Sequence, residues 1–139
     1  MTTCKILSID GGGIRGVIPA VILKCIEDEI NTPIYEKYDI GSGSSAGALI
    51  ILQLNGLKLS AKKVLSNFTN QNVIGQMFHK RFFRFFSTFY GPIYDGDSKS
   101  KMIKSILSTD RKFNSIDKPT LITAYDLTNK QSVVFKSTG

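Results

Sequence analysis

At 139 residues the chain is bounded to one domain at most, long enough to bury a core of its own. Apolar content of 42% with 21% charged residues is ordinary globular composition, which excludes disorder as the starting expectation. The net charge of +7 sits in the middle third, where Lys58 to Lys112 carries eleven Lys and Arg against three Asp. Such a bias suits an anionic membrane or nucleic-acid surface, or no more than a solvated basic face.

No apolar run reaches the ~18–20 residues that cross a bilayer. Met1-Thr2-Thr3-Cys4-Lys5 enters a strand-like segment directly, without the pattern of a signal peptide. The expected location is therefore cytoplasmic. Cys4 and Cys25 lack metal-ligand spacing, and His79 is the single histidine, so neither a metal nor an organic cofactor is expected.

In chain order, Lys5 to Asp10 reads as a short buried strand followed at once by Gly11-Gly12-Gly13. A helix runs from about Val17 to Ile30, with Ile18, Ile22, Cys25 and Ile26 at helical spacing as its expected inner face. Pro19 fits its first turn, and Asn31-Thr32-Pro33 closes it. Tyr38-Asp39-Ile40 is expected as a strand running into Gly43-Ser44-Ser45-Ala46-Gly47. An apolar helix then continues to Leu54, and Asn55-Gly56 ends it. Ser60 reads as the N-cap of a helix through about Phe68.

The stretch Phe78 to Tyr90 interleaves Phe with Lys80, Arg81 and Arg84. It reads either as an interfacial helix, giving peripheral membrane contact, or as a Phe stripe packed into the core. No nucleic-acid motif accompanies it, and no nucleic-acid partner is expected. Asp97 would cap a helix over Ser98 to Leu107. Thr120 to Tyr125 and Ser132 to Phe135 read as strands around the turn Thr128 to Gln131. Strand and helix alternate, so the expected class is α/β, with helices packed on a mostly parallel or mixed sheet.

Two loops carry the chemistry. Gly43 to Gly47 is G-x-S-x-G between a strand and a helix, the setting of a nucleophile elbow with Ser45 at its apex. Small neighbours permit a strained serine backbone, and the following helix points its free N–H groups towards it. Alone the pentapeptide is equally a Gly/Ser-rich turn. Gly11 to Gly16 fits G-x-G-x-x-G, the dinucleotide fingerprint. Against that reading, Asp10 would repel a pyrophosphate, and Asp28 and Glu29 fall inside the first helix rather than after a second strand. The alternative is an oxyanion hole. Gly11, Gly12 and Gly13 let backbone N–H groups approach a carbonyl oxygen, each donor stabilising acyl transfer by ~3–4 kcal/mol. Arg15 adds positive potential.

Taken together, Asp10-Gly11-Gly12-Gly13-Ile14-Arg15-Gly16 and Gly43-Ser44-Ser45-Ala46-Gly47 resemble the motifs of the patatin-like phospholipase family. Tyr94-Asp95-Gly96 before a helix, and the strand–turn–strand from Pro119 to Phe135, agree with it. The resemblance spans nearly the whole chain. It implies a three-layer sandwich and a lipid acyl hydrolase with a Ser–Asp dyad acting on a phospholipid or other acyl lipid. Ser45 matches the nucleophile, and Gly11, Gly12 and Gly13 match the oxyanion loop. Asp10, Arg15, Gly16, Gly43 and Gly47 complete the two motifs. No catalytic histidine is implied, and a Ser-His-Asp triad would have to recruit His79.

The chain departs from the family pattern in one respect. The family's dyad aspartate lies in an Asp-Gly-Gly or Asp-Gly-Ala well beyond residue 139. Apart from Asp10-Gly11-Gly12 itself, no such motif occurs here; Asp95-Gly96 is followed by Asp97. A serine hydroxyl without a base is a poor nucleophile near neutral pH. Two expectations stand: the amino-terminal part of a longer enzyme whose carboxyl-terminal part is missing, or a short, inactive lipid- or partner-binding relative.

Overall fold

The computed structural model describes residues 3–70, 104 and 112–137. Four strands form one sheet in the order β1 (Ile6–Ile9), β2 (Ile40–Ser44), β3 (Thr120–Asp126), β4 (Gln131–Lys136). The first three are parallel and β4 returns antiparallel to β3, so the sheet is mixed, as expected. Helices α1 (Val17–Ile30), α2 (Ala46–Ile51) and α3 (Ala61–Thr69) supply the packing. The Phe78–Tyr90 segment and the helix expected after Asp97 lie outside the described residues, apart from Lys104.

β2 falls later than the sequence suggests. Tyr38 and Asp39 precede it, and the strand is Ile-Gly-Ser-Gly-Ser. Strand periodicity is invisible there because alternate residues are glycine. The reason is close packing: a Cβ on Gly41 would lie 2.5 Å from Asn55 Nδ2, and one on Gly43 would lie 2.6 Å from the Gly47 carbonyl carbon. The chain before β2 is tied to β1 instead. Lys5 N–H donates to Asp39 Oδ2 at 2.7 Å, while Lys5 O accepts from Asp39 N at 2.8 Å and Ile40 N at 3.2 Å.

α1 begins after a 3-10 turn over Gly13–Gly16 and ends at Asn31, which adopts a left-handed conformation (φ 47°). Its inner face differs from the expected one. Ala20 and Leu23 are buried, whereas Ile18, Ile22, Cys25 and Ile26 are exposed. Every third or fourth position of α1 is apolar on more than one side, so spacing alone could not choose the face.

α2 is buried on most sides, as its composition requires: Ala46, Ile50 and Ile51, with Leu54 just beyond it, join Ile9, Leu23, Val64 and Phe68 in one core, and Ala48 is buried too. The helix does not stop at Ile51. It widens into a π turn over Leu52–Gly56, where Gln53 and Asn55 are buried. Gln53 Nε2 donates to Leu49 O at 3.0 Å, and Gln53 Oε1 accepts from Asn67 Nδ2 at 2.6 Å. Asn55 Oδ1 accepts from the Tyr38 hydroxyl at 2.6 Å, and Asn55 Nδ2 donates to Thr120 Oγ1 at 2.9 Å. Burial pushes the Tyr38 hydroxyl's pKa well above its ordinary value. Lys118 Nζ lies 4.4 Å from the Tyr38 ring centroid and donates to the carbonyls of Tyr35 and Tyr38.

Glu27 joins three parts of the layer. Its two carboxylate oxygens accept from Ile34 N and from Ala61 N, both at 2.8 Å. The second contact serves the start of α3, where Ser60 Oγ also accepts from Lys63 N at 3.3 Å, the cap that the sequence announces. Glu27→Ala leaves two amides unpaired and should lower unfolding free energy by about 2 kcal/mol. Glu27→Gln should recover part of that; a loss as large for Gln as for Ala would show that only charge matters.

The hairpin turn falls one residue earlier than expected, over residues 127–130. Asp126 fixes it: Oδ1 accepts from Thr128 N at 2.9 Å and Asn129 N at 3.1 Å, and Oδ2 accepts from Asn129 Nδ2 at 2.7 Å. The Asn129 contacts hold the Asp126 carboxyl below its ordinary pKa of 3.8. Its contribution is therefore complete above that value and is lost as pH falls through the lower folded value. Hairpin amide protection should drop as pH falls below the ordinary carboxyl value of 3.8, and Asp126→Asn should flatten that profile.

Candidate active site

Ser45 sits at the hinge between β2 and α2 with φ 49° and ψ −118°. That conformation strains a residue bearing a Cβ, by ~1–3 kcal/mol. The turn is too sharp for ordinary backbone because strand and helix leave it almost touching at Gly43 and Gly47. Ser45 is exposed while Ala46 and Gly47 behind it are buried. The geometry presents one hydroxyl at the carboxyl end of a parallel strand, with the first turn of α2 directly beneath it.

The glycine loop is clamped against this elbow. A Cβ on Gly11 would lie 3.0 Å from Ser45 Cβ and 3.1 Å from Ser44 Oγ. Gly16 is closed in by Phe68 Cε1 at 2.9 Å and Ala46 Cβ at 3.0 Å, measured in the same way. Gly47 is the tightest, its added Cβ falling 2.0 Å from Ile9 O. Parallel pairing of Ile9 with Gly43 brings the ends of β1 and β2 level, so the loops leaving both strands meet.

Gly11 N–H donates to Ser44 Oγ at 2.8 Å. Ser44, to which neither motif assigns a role, thus ties the loop to the elbow. The only available signal was its hydroxyl in the variable second position of G-x-S-x-G. Gly12 O accepts from Arg15 N at 3.1 Å, and Gly13 has a left-handed φ of 56° that glycine tolerates best. Among the described residues, the amides of Gly12 and Gly13 have no hydrogen-bond partner. Asp10 and Arg15 are exposed beside the loop. Among the described residues no carboxylate hydrogen-bonds the Ser45 hydroxyl, and His79 lies outside them. The described residues also hold no group of His, Cys, Asp and Glu able to bind a metal ion, and none of their helices is long and apolar enough to cross a membrane.

A serine at positive φ in a strand–helix turn, flanked by a glycine loop in an α/β chain, has the backbone geometry of a nucleophile elbow. Residues 7–138 match the family model described as Patatin-like phospholipase, and the chain belongs to that family. It is 26% identical to Patatin-2-Kuras 2 of Solanum tuberosum over 94% of its own length and 35% of the relative's. It is 31% identical to Patatin-like protein 2 of Arabidopsis thaliana over 95% of its own length and 36% of the relative's. Patatin-07 of Solanum tuberosum is 25% identical over similar shares, 94% and 35%. The chain therefore spans about a third of the length of these relatives.

Proposed function

We propose that this chain carries the nucleophile half of a lipid acyl hydrolase site, with Ser45 attacking the ester carbonyl of a phospholipid or other acyl lipid. The observation that carries the reading is the Ser45 backbone, strained at φ 49° with the Gly11 Cα against its side chain. Attack forms a bond from Ser45 Oγ to the carbonyl carbon, and the carbonyl oxygen takes up the negative charge. In this reading the amides of Gly12 and Gly13 receive it, together with Ala46 N–H at the start of α2. The Gly11 amide joins them only when it lets go of Ser44 Oγ. The base takes the Ser45 hydroxyl proton during attack; collapse of the intermediate breaks the ester C–O bond, that proton goes to the departing lyso-lipid or alcohol, and water then hydrolyses the acyl-enzyme.

The G-x-G-x-x-G pattern is read as part of this site rather than as a dinucleotide cradle. Ser44 occupies its first amide, and Gly16 packs on Phe68 and Ala46. In this reading the base that activates Ser45 is the Asp of the family's Ser–Asp dyad; apart from Asp10-Gly11-Gly12, no Asp-Gly-Gly or Asp-Gly-Ala occurs among these 139 residues.

The test is labelling with a fluorophosphonate probe, which phosphonylates an activated serine. The product of the complete reading frame should label, and Ser45→Ala should abolish it. Labelling that survives Ser45→Ala sinks the assignment. A wild-type product that neither labels nor hydrolyses phospholipid vesicles points to the inactive relative instead.

A further inference from the structure

Gly11, Gly12 and Gly13 have no side chains with which to hold their loop in place, and none of the three is buried. The loop's fixed ends are Ile9, buried at the end of β1, and Gly16, packed on Phe68 and Ala46. Between those ends, among the described residues, one side-chain hydrogen bond crosses from the loop to the elbow. It is the bond from Gly11 N–H to Ser44 Oγ, at 2.8 Å. Ser44 is a firm anchor. It is the last residue of β2 and pairs with Thr123 of β3, one position beyond the pairing of Gly43 with Ile9 of β1. It also immediately precedes Ser45, so one short piece of backbone carries both the anchor and the proposed nucleophile.

We infer that Ser44 is a positioning residue, whose hydroxyl oxygen tethers the glycine loop and so sets the loop's distance from Ser45. The inference rests on the hydrolase reading and adds a division of labour to it. Gly11 is the tethered amide, which leaves Gly12 and Gly13 to meet the oxyanion. The fit is too close for the loop to carry the tether itself. A Cβ on Gly11 would lie 3.0 Å from Ser45 Cβ, 3.1 Å from Ser44 Oγ and 3.2 Å from Ser44 O. The acceptor must therefore come from the elbow, on a side chain short enough to stay beside its own backbone. Serine and threonine provide that oxygen, whereas alanine and valine do not. Untethered, a run of three glycines samples many backbone conformations. Its amides then stabilise an oxyanion only for the fraction of time that they are in place. One solvent-accessible hydrogen bond changes such a fraction by up to ~10-fold. The released Gly11 amide offers no compensation, because an exposed N–H is satisfied by water and has nothing to hold it towards Ser45.

The experiment uses the product of the complete reading frame and compares wild type with Ser44→Ala, Ser44→Val and Ser44→Thr. Complete labelling of one sample with the fluorophosphonate probe counts the competent sites. Labelling rate and turnover of a p-nitrophenyl ester are then measured per competent site. Ser44→Ala and Ser44→Val should lower the labelling rate and kcat by ~10-fold, with KM within about twofold of wild type, because the oxyanion donors act in the transition state. Ser44→Thr, which has the shape of valine but keeps the oxygen, should stay within about threefold of wild type. A merely structural role would reduce the number of competent sites and leave the rate per site unchanged, and that result overturns the inference. So do equal losses in Ser44→Thr and Ser44→Val, or a loss confined to KM. A faster Ser44→Ala also overturns it, since Ser44 would then be a brake on the Gly11 amide. All these results leave the assignment of Ser45 intact. Labelling that survives Ser45→Ala, or a wild type that does not label, overturns the hydrolase reading and this inference together.

Discussion

Gly47→Ala is expected to abolish cooperative unfolding or to cost about 3–5 kcal/mol of stability, although it adds a single methyl group. The added carbon would fall 2.0 Å from Ile9 O, 2.7 Å from Ile9 C and 2.9 Å from Asp10 O, where ordinary contacts begin at 3.4 Å. The atoms it meets are backbone at the exit of β1, so no rotamer change relieves the clash. Either β1 or α2 must move, and both are fixed by the core around Ile9, Ile50 and Ile51. A domain with ~5–15 kcal/mol in hand tolerates little of this. Gly12→Ala is the matched control. Its Cβ would meet nothing nearer than Arg15 Cβ at 3.5 Å, on extended backbone, so its melting temperature should stay within a few degrees of wild type. Chemical denaturation of the two variants side by side decides the matter; similar stabilities would refute the close approach.

Ser45→Gly should separate stability from chemistry. Glycine occupies positive φ without a Cβ penalty, so relief of the strain at φ 49° should raise unfolding free energy by about 1 kcal/mol despite glycine's larger unfolded entropy. The same substitution removes the nucleophile, and fluorophosphonate labelling should vanish. Ser45→Ala removes the hydroxyl but keeps the Cβ, so it should lose labelling without the gain. Thermal melts of all three proteins check this. If Gly is no more stable than Ala, Ser45 is not strained, and the case for an elbow built for catalysis weakens with it.

Much of this site was legible in the sequence because glycine spacing reports backbone geometry. The order strand, glycine loop, helix, strand, elbow, helix stands as expected, and so do the Ser60 cap and the helix stop at Asn31. Three things were not legible, each for a physical reason. β2 was placed too early because Gly41 and Gly43 remove the alternation that marks a strand. The inner face of α1 was misassigned because apolar residues cover more than one side; an outward row of isoleucines looks like a core stripe until its partners are known. The Gly11–Ser44 bond joins residues 33 apart through a hydroxyl that no motif requires.

The widened turn after α2 also has a mechanical consequence. In a regular helix, a chain of dry apolar contacts lets α2 creep along its own axis at small cost, since one methyl group replaces another. Asn55 and Gln53 forbid that. Asn55 is pinned at once to Tyr38, ahead of β2, and to Thr120, the first residue of β3, while Gln53 is pinned to Asn67 on α3. An axial slip of even half a turn would strand several buried polar atoms together. The far end of the helix thus acts as a depth stop, setting how far Ser45 protrudes above the strand ends.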